Sequence, residues 1–185
     1  MPLLLTRERC ALVLVDYQTR LMPSIHGGAA ALQRALLLAH SARALGVPVV
    51  GTEQNPRGLG PNDERVHVLC EHTVSKMHFN AADDGLTGWL RQRNPAIDQV
   101  VVAGCEAHVC LMQSALGLLR DGLRVCVAAD ACGSRRPDDK ALALQRLVHS
   151  GALLVSSEMV VFEWLRSCSE PPFKAVLQLV KQYGA

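Results

Sequence analysis

At 185 residues, with 49% hydrophobic and 19% charged residues, the chain has the composition of a globular protein able to bury a substantial core. A formal net charge of +2 is too small to argue for nucleic acid as a partner, and arginines such as Arg7, Arg34, Arg43, Arg91, Arg120 and Arg146 are scattered rather than gathered into a stripe. No apolar run approaches the roughly 20 residues of a membrane span, and MPLLLTRERC turns charged too soon for a secretory leader.

Taken in chain order, strands and helices alternate. CALVLV at Cys10–Val15 is a continuous apolar run, as in a strand buried on both faces, and it stops at Asp16 in the polar-aromatic DYQ. Residues 22–28 read as loop. Residues 29–45 form a long Ala/Leu-rich helix closed by Gly46. VPVVG at 47–51 predicts a second strand with its proline at the start. TEQNPRGLGPN at 52–62, rich in Pro, Gly and Asn, predicts a loop of functional length. Residues 66–74 are ambiguous, a weak strand or turn leading to Ser75 and Lys76. Residues 83–93 suit a short helix broken by Asn94-Pro95, and 97–103 form a third clear strand.

VVAGCEAHVCLMQSA at 100–114 is the stretch around which the chain is organised. A β-branched run ends at Ala103, Gly104 allows a sharp turn, and a helix begins near His108 or Val109. Cys110 falls in or beside the first helical turn, where unpaired N–H groups and the helix dipole favour an anion. A thiol there is expected to be acidified and to be a candidate nucleophile; the alternative is a buried structural cysteine. The chain continues with a strand at 123–128, a polar loop at 130–137 and a helix at 138–150 with Asp138 and Asp139 in its first turn. A last strand at 152–155 precedes terminal helices at 158–165 and 173–181, split by Pro171-Pro172. The pattern predicts one α/β domain over 1–185: a three-layer α/β/α sandwich around a mostly parallel open sheet, Rossmann-like in layout.

Ligands of such sheets bind at the carboxyl ends of the strands. Three reactive side chains fall there: Asp16, Lys76 and Cys110. A carboxylate to accept a thiol proton, an ammonium to stabilise the thiolate and the thiol itself make a coherent nucleophile site. Each has a plainer reading, Asp16 as a turn or cap residue and Lys76 as a surface lysine, and spacing alone does not bring the three together.

LVLVDYQ at 12–18, SKMHFNA at 75–81 and VVAGCEAHVCLMQSA resemble, in order and spacing, the three motif blocks of the isochorismatase-like cysteine hydrolase superfamily. DACGSR and SGALLVSSE extend the resemblance over nearly the whole chain. It implies Cys110 as nucleophile, Asp16 as general base and Lys76 as support for both. It also implies a cis Cys105–Glu106 peptide that aims the backbone N–H groups of Glu106 and Cys110 at an oxyanion. Cysteine-bearing members hydrolyse amide or related C–N bonds through a covalent thioester-like intermediate. Nicotinamidases in the family carry a metal site of Asp and His residues after the second strand; GTEQNPRGLGPN has no His there, so no metal and no other cofactor are implied.

Gln18, Leu21, Gln54, Phe79 and His108 flank the motif blocks and are candidate substrate-binding residues. The expected partner is a small molecule, with neither nucleic acid nor membrane. Seven cysteines without a disulfide framework or zinc-like spacing suit a reducing cytoplasm. Met159, Val160, Phe162, Trp164, Leu165 and Phe173 in the tail either pack on the sheet or form a subunit interface; the family is commonly oligomeric, and a homo-oligomer is expected. The rivals are a thiol-redox protein using Cys105 and Cys110, a non-catalytic protein on the same fold, and a hydrolase of a non-amide small substrate.

Overall fold

The structure, a computed structural model, describes residues 4–183. Its elements run β1 (Cys10–Val15), α1 (Gly28–Leu45), β2 (Val49–Gln54), the single-turn helices α2 (Pro56–Leu59) and α3 (Glu64–His67), and β3 (His72–Lys76). They continue with α4 (Leu86–Arg93), β4 (Gln99–Gly104), α5 (Met112–Arg120), β5 (Arg124–Ala128), α6 (Pro137–His149), β6 (Leu153–Val155), α7 (Ser157–Leu165) and α8 (Phe173–Tyr183). All six strands are parallel, in the order β3-β2-β1-β4-β5-β6.

The continuous apolar runs follow from burial on both faces. Leu12, Leu14, Val101 and Ala103 point into a core closed by α1, α7 and α8. Val13, Val15, Val100 and Val102 point the other way, onto Leu86 and Leu90 of α4, Ala115 and Leu118 of α5 and Leu147 of α6. These are the three layers that the alternation predicts. Trp164, Val160 and Leu165 of the tail are buried in the α1-side core, whereas Met159 and Phe162 are exposed.

Three sequence expectations need correction. β2 does not end at residue 51; it runs through Thr52, Glu53 and Gln54, and part of the rest of the expected loop is the helical turn α2. Polar residues at a strand end read as loop because solvation is their usual fate, but these three are buried. Residues 66–74 split between α3 and β3. The helix expected at 83–93 is a 3-10 turn, Ala81–Asp84, and then α4, divided at Gly85.

One glycine is indispensable to this arrangement. Gly104 ends β4 at φ 148°, and a Cβ there would lie 2.2 Å from the Val15 carbonyl oxygen of β1. That same oxygen accepts the Cys105 N–H at 2.9 Å. Gly104→Ala is therefore expected to destabilise the fold by more than about 2 kcal/mol, read as a lower urea midpoint; an unchanged midpoint would refute the close approach.

Candidate active site

The sheet winds outward in both directions from β1 and β4, and the crevice above such a switch point is where ligands of parallel sheets bind. Asp16 is the first residue past β1. Its φ of 53° is left-handed, a conformation that costs a non-glycine residue about 1–3 kcal/mol and persists where the surroundings enforce it. Thr52 supplies much of that enforcement: its carbonyl accepts the Asp16 N–H at 3.2 Å, and its hydroxyl donates to Asp16 Oδ1 at 2.6 Å.

The other carboxylate oxygen, Oδ2, accepts Lys76 Nζ at 2.8 Å, and both side chains are fully buried. Register explains the reach. Val15 pairs with Thr52, and Gln54 with Lys76, so β3 extends two residues beyond the row that ends at Val15. The lysine stem spans the gap back across β2. Gln54 Oε1 accepts a second bond from Nζ at 2.6 Å, and its amide is oriented by Nε2 donating to the Met77 carbonyl at 2.9 Å.

Cys110 completes the cluster. Between β4 and α5 the chain makes a π-helical turn, Ala107–Leu111, in which the N–H groups of Val109 and Leu111 both return to the Glu106 carbonyl. The thiol lies 3.8 Å from Gln54 Oε1 and is 6% exposed. Its pKa is pushed up to about 12, first by burial and then by the Asp16 carboxylate, with Lys76 pulling the opposite way. The acidified thiol expected from the helix N-terminus is thus not the resting state. Loss of solvent and a neighbouring anion outweigh the pull of Lys76.

The turn that carries the thiol is braced from the loop after β5. The Cys105–Glu106 peptide is cis. Ala107 N–H donates to the Gly133 carbonyl at 2.7 Å, and Gly133 N–H to the Gly104 carbonyl at 3.1 Å. Glu106 Oε2 accepts both the backbone N–H and Nε of Arg135 at 3.0 Å.

The structure thus brings Asp16, Lys76, Gln54 and Cys110 together. It places the other candidates elsewhere. Gln18 is fully buried, donating to the carbonyls of Gln54 and Gly60 and accepting the Gln54 N–H, so its amide holds backbone rather than facing a ligand. Leu21 packs against the α1-side core. Phe79 is 49% exposed on the loop after β3, which Ser114 of α5 ties down through Phe79 O and Ala81 N. His108 is partly buried, its Nδ1 3.0 Å from Ser134 Oγ. Thr52 was missed by sequence reasoning; a β-branched residue directly after VVG was the available sign that the strand continues. Among the described residues, no group of three or more His, Cys, Asp or Glu side chains is disposed to hold a metal ion.

A family model for the isochorismatase domain matches residues 10–159, from β1 into α7. The chain belongs to the isochorismatase family. Isochorismatase domain-containing protein 2A of Mus musculus is 35% identical over 175 residues, covering 95% of this chain and 84% of its own. The isochorismatase-like fold recurs in the MAR1 ribonuclease of Caenorhabditis elegans, 27% identical with a TM-score of 0.88 over 96% of this chain and 92% of that one. It recurs in the YcaC gene product of Escherichia coli, described as an octameric hydrolase of unknown specificity (22% identity, TM-score 0.89, 99% and 92% covered). YcaC of Pseudomonas aeruginosa, solved with hexane-2,5-diol and covalent acrylamide, is 22% identical with a TM-score of 0.85, covering 100% of this chain and 99% of its own.

Removing one partner of a buried ion pair strands the other charge, at a cost of about 3–5 kcal/mol. Asp16→Asn and Lys76→Met are each expected to lower the free energy of urea unfolding by about that much. The double variant should recover much of the loss, because no lone charge remains. Additive losses in the double variant would contradict the pair.

Proposed function

We propose that this isochorismatase-family protein is a metal-independent cysteine hydrolase that cleaves an amide-like C–N bond of a small molecule. The observation that carries the reading is the Cys110 thiol lying against a desolvated Asp16–Lys76 pair at the switch point of the sheet.

With its pKa near 12 the resting thiol is protonated, so the thiolate must form as it attacks. Asp16 takes the thiol proton while the sulfur–carbon bond forms and the carbonyl electrons move onto oxygen. The N–H groups of Glu106 and Cys110 are the proposed donors to that oxyanion, and losing one such donor costs about 3 kcal/mol in other acyl-transfer enzymes. The C–N bond breaks with its electrons going to nitrogen, which leaves as the amine with the proton from Asp16. Water then gives a proton to Asp16 and its oxygen to the thioester carbon; the C–S bond breaks and Cys110 regains its proton. Lys76, bonded to Asp16 Oδ2, holds the carboxylate in place and draws the thiolate. Gln54, Phe79 and His108 are the proposed substrate contacts.

The arginines support a small substrate. Arg9 with Asp98, Arg43 and Arg93 with Glu71, Arg65 with Asp63 and Arg120 with Asp83 are already paired, leaving less for a phosphate backbone. The redox rival fares poorly, because burial also raises the Cys105 thiol and exchange needs a thiolate.

The experiment pairs ammonia release from a panel of small primary amides with acrylamide adduct formation by intact mass, in a Cys168→Ser background because Cys168 is exposed. Cys110→Ser should abolish both, and Asp16→Asn should slow both by about 10²–10⁴-fold, the usual worth of a general base. Cys105→Ser should leave both intact. Adducts spread evenly over the remaining cysteines would sink the reading.

We also infer a homo-oligomer that uses the β6 edge. Leu153 and Leu154 of this open edge strand are 45% and 39% exposed, and Leu142 and Val148 of α6 and Met159 and Phe162 of α7 are exposed too. An unprotected apolar edge is a pairing surface. Light scattering should give a mass above one chain, and Leu154→Lys with Phe162→Glu should lower it. A monomeric parent protein would end this inference.

A further inference from the structure

We infer that Thr52 is a positioning residue for Asp16: its hydroxyl holds one carboxylate oxygen so that the ionised carboxylate stays aligned and ready to receive the Cys110 proton. The inference rests on the proposed hydrolase reading, because it assigns a role to a group acting on that reading's base.

The geometry is specific. Thr52 is fully buried and grips Asp16 twice, through its carbonyl to the backbone N–H at 3.2 Å and through Oγ1 to Oδ1 at 2.6 Å. A carboxylate has two oxygens; Lys76 holds Oδ2 and Thr52 holds Oδ1. With both pinned, the carboxylate plane cannot rotate away from Cys110, although nothing covalent fixes it. Thr52 is itself anchored, since its carbonyl also accepts Asn62 Nδ2 at 3.0 Å and the Asn62 N–H is held by Glu53 Oε1 at 2.9 Å. The polar end of β2 thereby links the loop before α3 to the base.

A hydroxyl that donates to a carboxylate stabilises the ionised form over the protonated one. Removing it leaves a buried oxygen with an unmade bond, which favours protonation. The acid limb of the reaction, the pH below which adduct formation falls, should then move to higher pH. A threonine that served only to pack β2 would change stability and leave the limb in place.

The probe is acrylamide, with the pH dependence of Cys110 adduct formation measured by intact mass in the Cys168→Ser background. Thr52→Val should shift the acid limb upward by about one pH unit or more, since bonds to charged groups are among the stronger ones. The rate on the plateau should fall severalfold. Thr52→Ser, which keeps the hydroxyl, should restore the parent limb. Thr52→Ala gives a second hydroxyl-free variant should the valine protein not fold. If Asp16→Asn fails to slow the adduct, the hydrolase reading itself fails. If Asp16→Asn slows it while Thr52→Val and Thr52→Ala keep the parent limb, only the role of Thr52 is overturned.

Discussion

A fully buried charge pair constrains everything above the carboxyl ends of this sheet. Burying a carboxylate and an ammonium costs several kcal/mol for each ion, and attraction offsets that cost only when the remaining hydrogen-bonding positions are filled. Here Thr52 fills one position on Asp16, Gln54 fills one on Lys76, and both come from β2. The pair therefore dictates where β2 ends, how far β3 must overshoot β1, and why polar residues occupy a strand that packs between two others.

That requirement marks the boundary of what the sequence discloses. Continuous apolar runs set β1 and β4 closely, and Gly46, with φ 73° and its N–H returning to Ala42 and Arg43, closed α1 where the residue order suggested. The end of β2 was misread because Thr52, Glu53 and Gln54 obey the needs of the site rather than the period of a strand. Asp16, Lys76 and Cys110 each stood out as residues at strand ends, yet nothing local brought them together; resemblance over three blocks did that. Thr52, β-branched and next to VVG, carries a sign of the longer strand but none of its bond to Asp16. The direction of the Cys110 shift was also out of reach, since helix position can be read from sequence while the degree of burial and the distance to Asp16 cannot.

The bracing of the thiol turn complements the pair. The loop after β5 clamps Gly104, Glu106 and Ala107 by backbone bonds and the Arg135 contact, so the turn is held from one side and the charge pair from the other. A neutral, nearly buried thiol between them is shielded from bulk oxidants, which draw on exposed thiolate. On the proposed mechanism, reactivity is withheld until an electrophilic carbon is seated beside the thiol and Asp16.

The strand order carries a last consequence. Lys76 rides on β3, the outermost strand, which is bonded to the sheet along one side only. Edge segments open locally at lower free energy than a domain unfolds. On the proposed mechanism the ammonium therefore depends on the hold of one five-residue strand, which Val74 anchors in the core shared with α4 and α5.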